Sequence, residues 1–286
     1  MKVLGIDIGG TNIRAGLVED NAVVRIESLK IKKSGSETEI MNDLDFLIGK
    51  FLKDKIKGIG IGVPSLVDPE KGIVYDATNI PAWKEVHLKE QIEAKYKLPV
   101  YVNNDANCFV MGEKYFGKGK DYKDIVGLII GTGLGSGLVL NNSLYAGKNC
   151  GAGEFGMIPF RDHDFEYYCS GQFFENVHGI TGEELNQRAE QGDVNALEIF
   201  IQFGSNLGEA IKVIMLAVDP EIFILGGSVS KSYKFFKDAM WKSIREFIYG
   251  HSSDKIKVEV SEINQIAILG AAALYYDALK EPGVGK

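Results

Sequence analysis

Two short apolar runs separated by glycines open the chain. Val3–Ile8 and Ile13–Val18 are each predicted to form a strand, and Gly9-Gly10 between them is typical of a tight hairpin corner. Glycine leaves backbone amide groups unshielded by a side chain, so such a corner can bind a phosphate group. The alternative is an ordinary tight hairpin, and this stretch alone favours the ordinary hairpin.

Polar residues lie on both sides of this corner. Asp7 comes just before it and could orient water or Mg²⁺ near a phosphate, and the Thr11 hydroxyl could donate a hydrogen bond to one. The alternative is that both side chains only satisfy the turn.

Strand and helix patterns alternate in the residues that follow. Apolar spacing of three and four residues predicts amphipathic helices, and short apolar runs predict strands. The predicted elements are strands at Val23–Ile31, Ile56–Val63 and Pro99–Asn103, and helices at Glu39–Leu52, at about Glu85–Tyr96, and from the Asn104 region to about Phe116. This alternation is typical of an α/β layer.

Asp105 lies where a predicted strand ends and a helix begins. Open α/β sheets bind ligands at the carboxyl ends of their strands, which makes Asp105 a candidate site residue. The alternative is that Asp105 is the N-cap of the helix, and this stretch alone favours the cap. Residues 112–119 resemble a P-loop, but they lie at a helix end and have Gly119 where Ser or Thr must follow the lysine, so we reject that interpretation.

A second glycine-rich turn, Gly131–Gly137, lies inside the apolar stretch Ile125–Leu140. A dinucleotide site would need a helix after the glycines, whereas Leu138–Leu140 predicts a strand. The chain therefore repeats its opening arrangement of strand, glycine corner and strand. This repetition predicts two related α/β halves that face each other across a cleft.

The rest of the chain continues the α/β pattern. Gly226-Gly227-Ser228 follows a predicted strand at Ile222–Leu225 and precedes a helix from about Lys231 to Ile248, an arrangement that suits either an anion site or a plain tight turn. The other predicted elements are helices at Glu183–Gln191, Val194–Val218 and Ala267–Leu279, a strand at Ile256–Val260, and an irregular segment at Arg161–Glu175 that feeds a helix near Gly171.

Composition narrows the possible partners. The chain has 286 residues, of which 45% are hydrophobic and 25% charged, which is long enough for two domains of ordinary globular composition. Its net charge of −7 gives no general attraction to nucleic acid or an anionic membrane surface. No apolar run approaches bilayer length, so we expect no membrane span. The three cysteines suggest neither a disulfide framework nor a four-cysteine zinc site, so we expect free thiols in a reducing cytoplasm.

Seven motifs, in their order along the chain, resemble those of the ROK family of sugar kinases and repressors, within the actin-like and hexokinase-like ATPase fold. They are Asp7-Ile8-Gly9-Gly10-Thr11, Gly62-Val63-Pro64, Asn79 with Trp83, Asn104-Asp105-Ala106-Asn107, Gly131-Thr132-Gly133-Leu134-Gly135, Gly151-Ala152-Gly153-Glu154-Phe155-Gly156 and Gly226-Gly227-Ser228. The resemblance covers essentially the whole chain. It implies a two-lobed α/β fold with a cleft, and we expect a smaller lobe at 1–106 plus 266–286, a larger lobe at 107–265, and a homodimer.

The resemblance also implies roles for individual residues. Mg²⁺-ATP would be bound by Asp7, Gly9, Gly10, Thr11, Asn12, Thr132, Gly133, Gly226, Gly227 and Ser228, with Asp7 acting on Mg²⁺ through water or ATP. The sugar would be bound by Pro64, Asn79, Asn104, Asp105, Glu154, Met157 and Glu175. Asp105 would be the general base that accepts the proton of the sugar hydroxyl.

The chain departs from the family at its zinc motif. Where ROK kinases read Glu-x-Gly-His, this chain has Glu154-Phe155-Gly156-Met157, and the family's cysteine cluster is reduced to Cys169. One thiolate cannot form the closed tetrahedral site of structural zinc. We therefore expect no structural zinc, with Tyr167, Tyr168, Phe173 and Phe174 packing in its place.

These observations lead to a specific expectation of function. The chain is predicted to be a cytoplasmic ATP-dependent kinase that phosphorylates the 6-hydroxyl of a hexose, with glucose as the first candidate. N-acetylmannosamine or N-acetylglucosamine is the alternative substrate. A protein that binds sugar without turnover is an alternative of another class, prompted by Met157. The repressor branch carries an amino-terminal helix-turn-helix, whereas here a strand is predicted from the first residues, so we expect no binding to nucleic acid.

Overall fold

The computed structural model describes residues 1–31, 35–77, 80–148 and 150–279. Contacts between residues divide the chain into two compact units. Unit 1 comprises Met1–Asp121, Ser143–Ala152 and Glu262–Lys286, and unit 2 comprises Tyr122–Asn142 and Gly153–Ser261. Each unit contains both helices and strands, so the predicted α/β class is confirmed.

The strands and helices are numbered in chain order. The strands are β1 (Val3–Ile8), β2 (Asn12–Glu19), β3 (Ala22–Lys30), β4 (Ile59–Val63), β5 (Leu66–Asp68), β6 (Ile73–Tyr75), β7 (Glu85–His87), β8 (Val100–Asn104), β9 (Ile125–Ile130), β10 (Leu134–Leu140), β11 (Ser143–Leu144), β12 (Pro159–Phe160), β13 (His163–Asp164), β14 (Ile222–Gly226) and β15 (Lys257–Val260). The helices are α1 (Glu37–Gly49), α2 (Leu88–Tyr96), α3 (Asp105–Phe116), α4 (Phe165–Cys169), α5 (Gly182–Glu190), α6 (Val194–Val218), α7 (Tyr233–Ile244), α8 (Gly250–Lys255) and α9 (Ile266–Ala278).

The main sheet of unit 1 has the strand order β3-β2-β1-β4-β8. β1 pairs antiparallel with β2 and parallel with β4, and β4 pairs parallel with β8. Helix α9 packs directly on this sheet: a Cβ built at Gly5 would lie 2.1 Å from the Ile268 carbonyl oxygen, and one built at Gly60 would lie 1.8 Å from the Ala271 carbonyl oxygen. Glycines on the strands and alanines on the helix therefore let the two backbones touch.

Helix α3 packs closely against helix α9. A Cβ at Gly270 of α9 would lie 1.9 Å from the carbonyl oxygen of Cys108 in α3. The lobe boundary predicted from the sequence, after Ala106, places most of α3 in a different lobe from α9. In the structure, the first segment of unit 1 extends to Asp121, so unit 1 contains both helices. The difference arises because this packing joins residues far apart in sequence.

In unit 2 the strands β10, β9, β14 and β15 are neighbours in that order. β9 pairs antiparallel with β10 and parallel with β14, and β14 pairs parallel with β15. The carboxyl ends of β9 and β14 therefore lie side by side, Gly226 being paired with Ile129. The two glycine turns predicted in this half follow those two ends.

Helix α6 corrects one expectation. It has 25 residues and is long and apolar enough to cross a membrane by length and composition, although we expected no apolar run of that length. Its apolar face is core: Phe200, Phe203 and Leu207 are fully buried. A Cβ at Gly204 would lie 2.3 Å from the Phe236 carbonyl oxygen of α7, so the two helices pack closely in unit 2.

Three local predictions differ from the structure. Glu85–His87, predicted as the start of a helix, is a strand that pairs with β6, because Val86 is buried opposite Val74. The predicted irregular segment Arg161–Glu175 contains β13, α4 and the start of a π-helix at Phe173–Val177. Helix α7 ends at Ile244, short of the predicted Ile248, and α8 follows it.

Candidate functional site

The first glycine turn of unit 1 is a hairpin, as predicted. β1 ends at Ile8, which pairs with Ile13 of β2, and the Gly9 amide donates to the Asn12 carbonyl oxygen at 2.9 Å. Gly10 is half-buried and Thr11 is exposed at the tip of the turn. Of the predicted nucleotide residues of this stretch, Gly9, Gly10 and Thr11 therefore lie on one short turn, with Asp7 near the end of β1 and Asn12 at the start of β2.

Asp7 has a partner that the sequence analysis missed. Its Oδ2 accepts hydrogen bonds from Arg14 Nη2 at 2.6 Å and from Arg14 Nε at 3.0 Å, and Arg14 Nη1 also donates to Gln265 Oε1 at 3.3 Å. The signal was present in the sequence, because the predicted strands Val3–Ile8 and Ile13–Val18, paired across the turn from Ile8 and Ile13, place Asp7 opposite Arg14, and this is the observed pairing. The pair compensates the Asp7 charge through one carboxylate oxygen.

The junction of β8 and α3 tests the interpretation of Asp105 as a helix N-cap. The N-cap is Asn104, whose Oδ1 accepts the Asn107 amide hydrogen at 2.7 Å. Asp105 is the first residue of the helix, is exposed, and its Oδ1 accepts the Ala106 amide hydrogen at 2.9 Å. The expectation that Asp105 is merely the cap is therefore wrong, because its neighbour fills that role.

The buried side chain of Asn103 accepts hydrogen bonds at this junction. Asn103 is 3% exposed, and its Oδ1 accepts from the Asn104 amide at 2.9 Å, from Asn107 Nδ2 at 2.9 Å and from the Cys150 thiol at 3.9 Å. These bonds fix the backbone just before Asp105 and link it to the side chain of Asn107 in the first turn of α3.

Of the other predicted sugar residues in unit 1, Pro64 follows β4 directly and is half-buried. The parallel pairing of Val63 with Asn104 brings Pro64 next to the end of β8. Asn79 lies outside the described residues.

The second glycine turn, in unit 2, is also a hairpin as predicted, with Ile130 of β9 paired to Leu134 of β10. Thr132 is exposed at its tip, beside Gly133. A neighbouring segment supports the turn: the Gly171 amide donates to the Gly131 carbonyl oxygen at 2.7 Å.

The turn Gly226–Ser228 adjoins it. Gly227 has φ +87°, and a Cβ there would lie 2.3 Å from the Ile130 carbonyl oxygen, so only glycine fits this close approach. Gly227 and Ser228 are exposed, whereas Gly226 is buried at the end of β14.

A cavity of about 660 Å³ opens between these turns and the helices of unit 2. It is lined by Gly131, Thr132, Gly171, Gln172, Phe174, Glu175, Thr181, Gly182, Glu183, Asn186, Gln187, Ser228, Val229, Lys231 and Ser232. Thr132 and Ser228 were predicted for the nucleotide and Glu175 for the sugar. The residues from Thr181 to Gln187 were missed, because nothing in their local sequence marks them. Lys231 could have been found, because it follows the glycine turn by three residues.

Glu154 and Met157, predicted for the sugar, lie just before and at the end of a 3₁₀ turn at Phe155–Met157 in unit 2, and both are exposed. The pKa of Glu154 is raised from its ordinary value, first because the surrounding protein partly desolvates the carboxyl group and second because the Glu166 carboxylate is near. A thioether at position 157 offers no strong hydrogen bond, so the polar chemistry of this segment rests on Glu154.

The side chains of the 160–175 segment do not form a zinc site. Cys169 is fully buried, and in the part of the chain that the structure describes no group of three or more His, Cys, Asp or Glu could hold a metal ion. Aromatic rings pack there instead: Tyr168 lies 6.2 Å from Phe173, and Phe173 lies 5.8 Å from Phe174, between ring centroids. The residues present do not fit structural zinc, and its absence stays a prediction.

The family model for the ROK family matches residues 3–278. The chain belongs to the ROK family. It is 28% identical over 317 residues to a glucokinase from Streptomyces coelicolor, covering 98% of each chain. It is 30% identical to a xylose repressor from Caldicellulosiruptor bescii, covering 96% of this chain and 77% of the repressor.

A solved structure agrees with this membership. The ROK glucokinase of Streptomyces griseus in complex with glucose and AMPPNP superposes with a TM-score of 0.79 at 28% identity, covering 96% of this chain and 99% of that one. The predicted two-lobed, actin-like fold class is therefore confirmed. The relatives include both glucokinases and xylose repressors, so family membership alone does not assign an activity to this chain.

Proposed function

We propose that this ROK protein is an ATP-dependent kinase that transfers the γ-phosphate to the 6-hydroxyl of a hexose, with glucose as the first substrate to test. The observation that carries the proposal is the junction of β8 and α3. Asn104 caps the helix, and Asp105 has an exposed carboxylate at the carboxyl end of a parallel strand. A ligand site is expected at that position of an α/β sheet.

Asp105 would act as the general base. A sugar hydroxyl is a weak nucleophile, and a carboxylate within hydrogen-bond reach accepts its proton as the oxygen attacks phosphorus. The buried Asn103 side chain accepts hydrogen bonds from the Asn104 backbone amide and from the Asn107 side chain, one on each side of this carboxylate in sequence. A rigid support of that kind keeps the base aligned with the acceptor oxygen.

The nucleotide would be held by the glycine turns. The cavity of about 660 Å³ in unit 2 is of a size that suits a nucleoside, and the exposed Thr132 and Ser228 lie at its edge. Gly133 and Gly227 would offer backbone amides to phosphates, with the buried Gly226 placing the second of them, as would Gly10 with Thr11 and Asn12 in unit 1, where the Gly9 amide closes the turn instead. When bound, Mg²⁺ compensates the charge of the phosphate oxygens. Asp7 would orient water around that ion, with Arg14 fixing the carboxylate.

Hexose hydroxyls would be bound by acceptors and donors of mixed type. Asn104 and Asn79 can do both, and Glu154 accepts when ionised. Pro64 and Met157 would supply apolar contact. Glu175, which lines the same cavity as Thr132, would accept a hydrogen bond from a sugar hydroxyl.

A coupled assay of ATP-to-ADP turnover with Mg²⁺ tests the proposal. The panel is glucose, mannose, fructose, N-acetylglucosamine and N-acetylmannosamine, with a sample lacking sugar as the control. Turnover well above that control with one sugar is the expected result, and the sugar names the substrate. If no sugar of the panel raises ATP turnover above the control while a sugar still binds in calorimetry, the kinase proposal is contradicted and a non-catalytic sugar-binding protein is supported.

A further inference from the structure

One carboxylate of unit 2 contacts the second glycine turn from outside the cavity. Glu166, the second residue of α4, is half-buried. Its Oε2 accepts the Leu134 amide hydrogen at 3.0 Å, where β10 begins. Its Oε1 accepts from Gln172 Nε2 at 3.1 Å. The carboxylate thus ties the end of the turn to a residue that lines the cavity.

The same segment contacts the other end of the turn. The Gly171 amide donates to the Gly131 carbonyl oxygen at 2.7 Å, and the Ser170 hydroxyl donates to the Thr132 carbonyl oxygen at 3.1 Å. A Cβ at Gly133 would lie 2.4 Å from the nearer Glu166 oxygen, so the carboxylate closes against the turn itself. Carbonyl oxygens of the turn are thereby bonded to residues 170–171, and the Leu134 amide to Glu166.

The Glu166 carboxylate has two opposing effects on a phosphate group bound at this turn. A carboxylate beside a turn that binds phosphate repels the ligand, so charge alone would weaken nucleotide binding. A hydrogen bond from an amide to a carboxylate, in contrast, is among the stronger ones in proteins. The two effects act in opposite directions, which lets an experiment separate them.

We propose that Glu166 is a positioning residue for the nucleotide: its bond to the Leu134 amide, backed by Gln172, fixes the second glycine turn in the conformation that receives phosphate. The inference rests on the proposed function in assigning that turn to ATP. It goes further by assigning a role to Glu166, which contributes no group to the ligand and acts through the turn.

Two matched variants test it. Glu166→Gln keeps an oxygen for the Leu134 amide, and a turn of the Gln172 amide restores the second bond, whereas Glu166→Met keeps the length of the side chain and offers no strong acceptor. The measurement is the dissociation constant of Mg²⁺–AMP-PNP by calorimetry, with melting temperatures as a check on folding. Glu198→Ala, at an exposed position of α6, is the control.

We expect Glu166→Met to weaken AMP-PNP binding roughly 10- to 100-fold, the range that follows from loss of one hydrogen bond to a charged group. Glu166→Gln and Glu198→Ala should bind as the unaltered protein does, or slightly more tightly for Glu166→Gln because the repulsion is gone. Equal binding by Glu166→Met and the unaltered protein would overturn the proposal. So would Glu166→Gln binding as weakly as Glu166→Met.

Gln172 supplies a second test that does not depend on one variant folding. Gln172→Met should weaken binding about 3-fold, as expected for a weaker supporting bond, and the double variant with Glu166→Met should be no weaker than Glu166→Met alone. Additive losses would mean that Gln172 acts on the ligand independently and would overturn its supporting role. Sugar-dependent turnover of the unaltered protein is measured separately, so a failure of the kinase proposal is distinguished from a failure of this one.

Discussion

Replacing Asp105 with Asn separates catalysis from folding at the β8–α3 junction. The amide has the same shape as the carboxylate, and its Oδ1 can still accept the Ala106 amide hydrogen, now at 2.9 Å. The cap is unaffected, because it is formed by Asn104 and Asn107. The substitution removes a negative charge from the first helical turn, where such a charge is worth about 0.3–1 kcal/mol.

The expected loss of activity is much larger. An amide cannot take the proton of the sugar hydroxyl, and general-base catalysis typically contributes about 10²–10⁴-fold. That range corresponds to roughly 2.7–5.4 kcal/mol in the barrier, at about 1.36 kcal/mol for each tenfold. Because this exceeds the structural cost several-fold, Asp105→Asn should lose kcat while its free energy of unfolding changes by less than about 1 kcal/mol.

The assay measures kcat with the substrate found in the panel, sugar binding by calorimetry, and unfolding by urea. Ser36→Ala is the matched control in the same unit, because Ser36 and Glu39 form a capping box at α1. It should cost about 1 kcal/mol of unfolding free energy and leave kcat unchanged. If Asp105→Asn keeps more than a tenth of the kcat, Asp105 is not the base.

Two further predictions concern charge and packing. The ionised Glu154 would bind sugar, and its pKa is raised first by desolvation and second by the Glu166 carboxylate. Glu166→Gln removes the Glu166 charge and so lowers the pKa of Glu154, which should move the acid limb of kcat/KM for sugar to lower pH. An acid limb that does not move would contradict the role of Glu154. Gly270→Ala should cost at least about 1–3 kcal/mol in urea unfolding, because its Cβ would lie 1.9 Å from the Cys108 carbonyl oxygen. Gly49→Ala, with nothing within 4 Å, should cost nothing, and equal effects of the two would refute the close packing of α9.

Local patterns predicted the parts of the fold that local physics determines. Both glycine hairpins were found because an apolar run, a glycine corner and a second run are close in sequence, and the observed pairs Ile8 with Ile13 and Ile130 with Leu134 agree. Glu85–His87 was misassigned because its strand is set by pairing with β6, which helical spacing does not reveal.

The candidate site was predictable only where a motif marks it. Asn and Asp are both favoured at helix N-caps, so the sequence does not distinguish Asn104 from Asp105 as the cap, whereas the structure shows that Asn104 is the cap. Glu166 and Gln172 carry no motif, and their contacts with the turn at Gly131–Leu134 join segments that are distant in the chain. Long-range contacts of this kind require the structure.

The chain passes between the two units after Asp121, after Asn142, after Ala152 and after Ser261. Unit 1 is therefore assembled from both ends of the described chain, since β1 begins at Val3 and the helix that packs against it, α9, begins at Ile266. During synthesis on the ribosome, β1 is made long before the helix α9 that covers it. Unit 1 therefore completes its core only after nearly all of the described residues have been made. A stop codon before Ile266 would leave the nascent sheet, whose strand β8 leads into Asp105, without its covering helix, and such a fragment would expose apolar strands and aggregate.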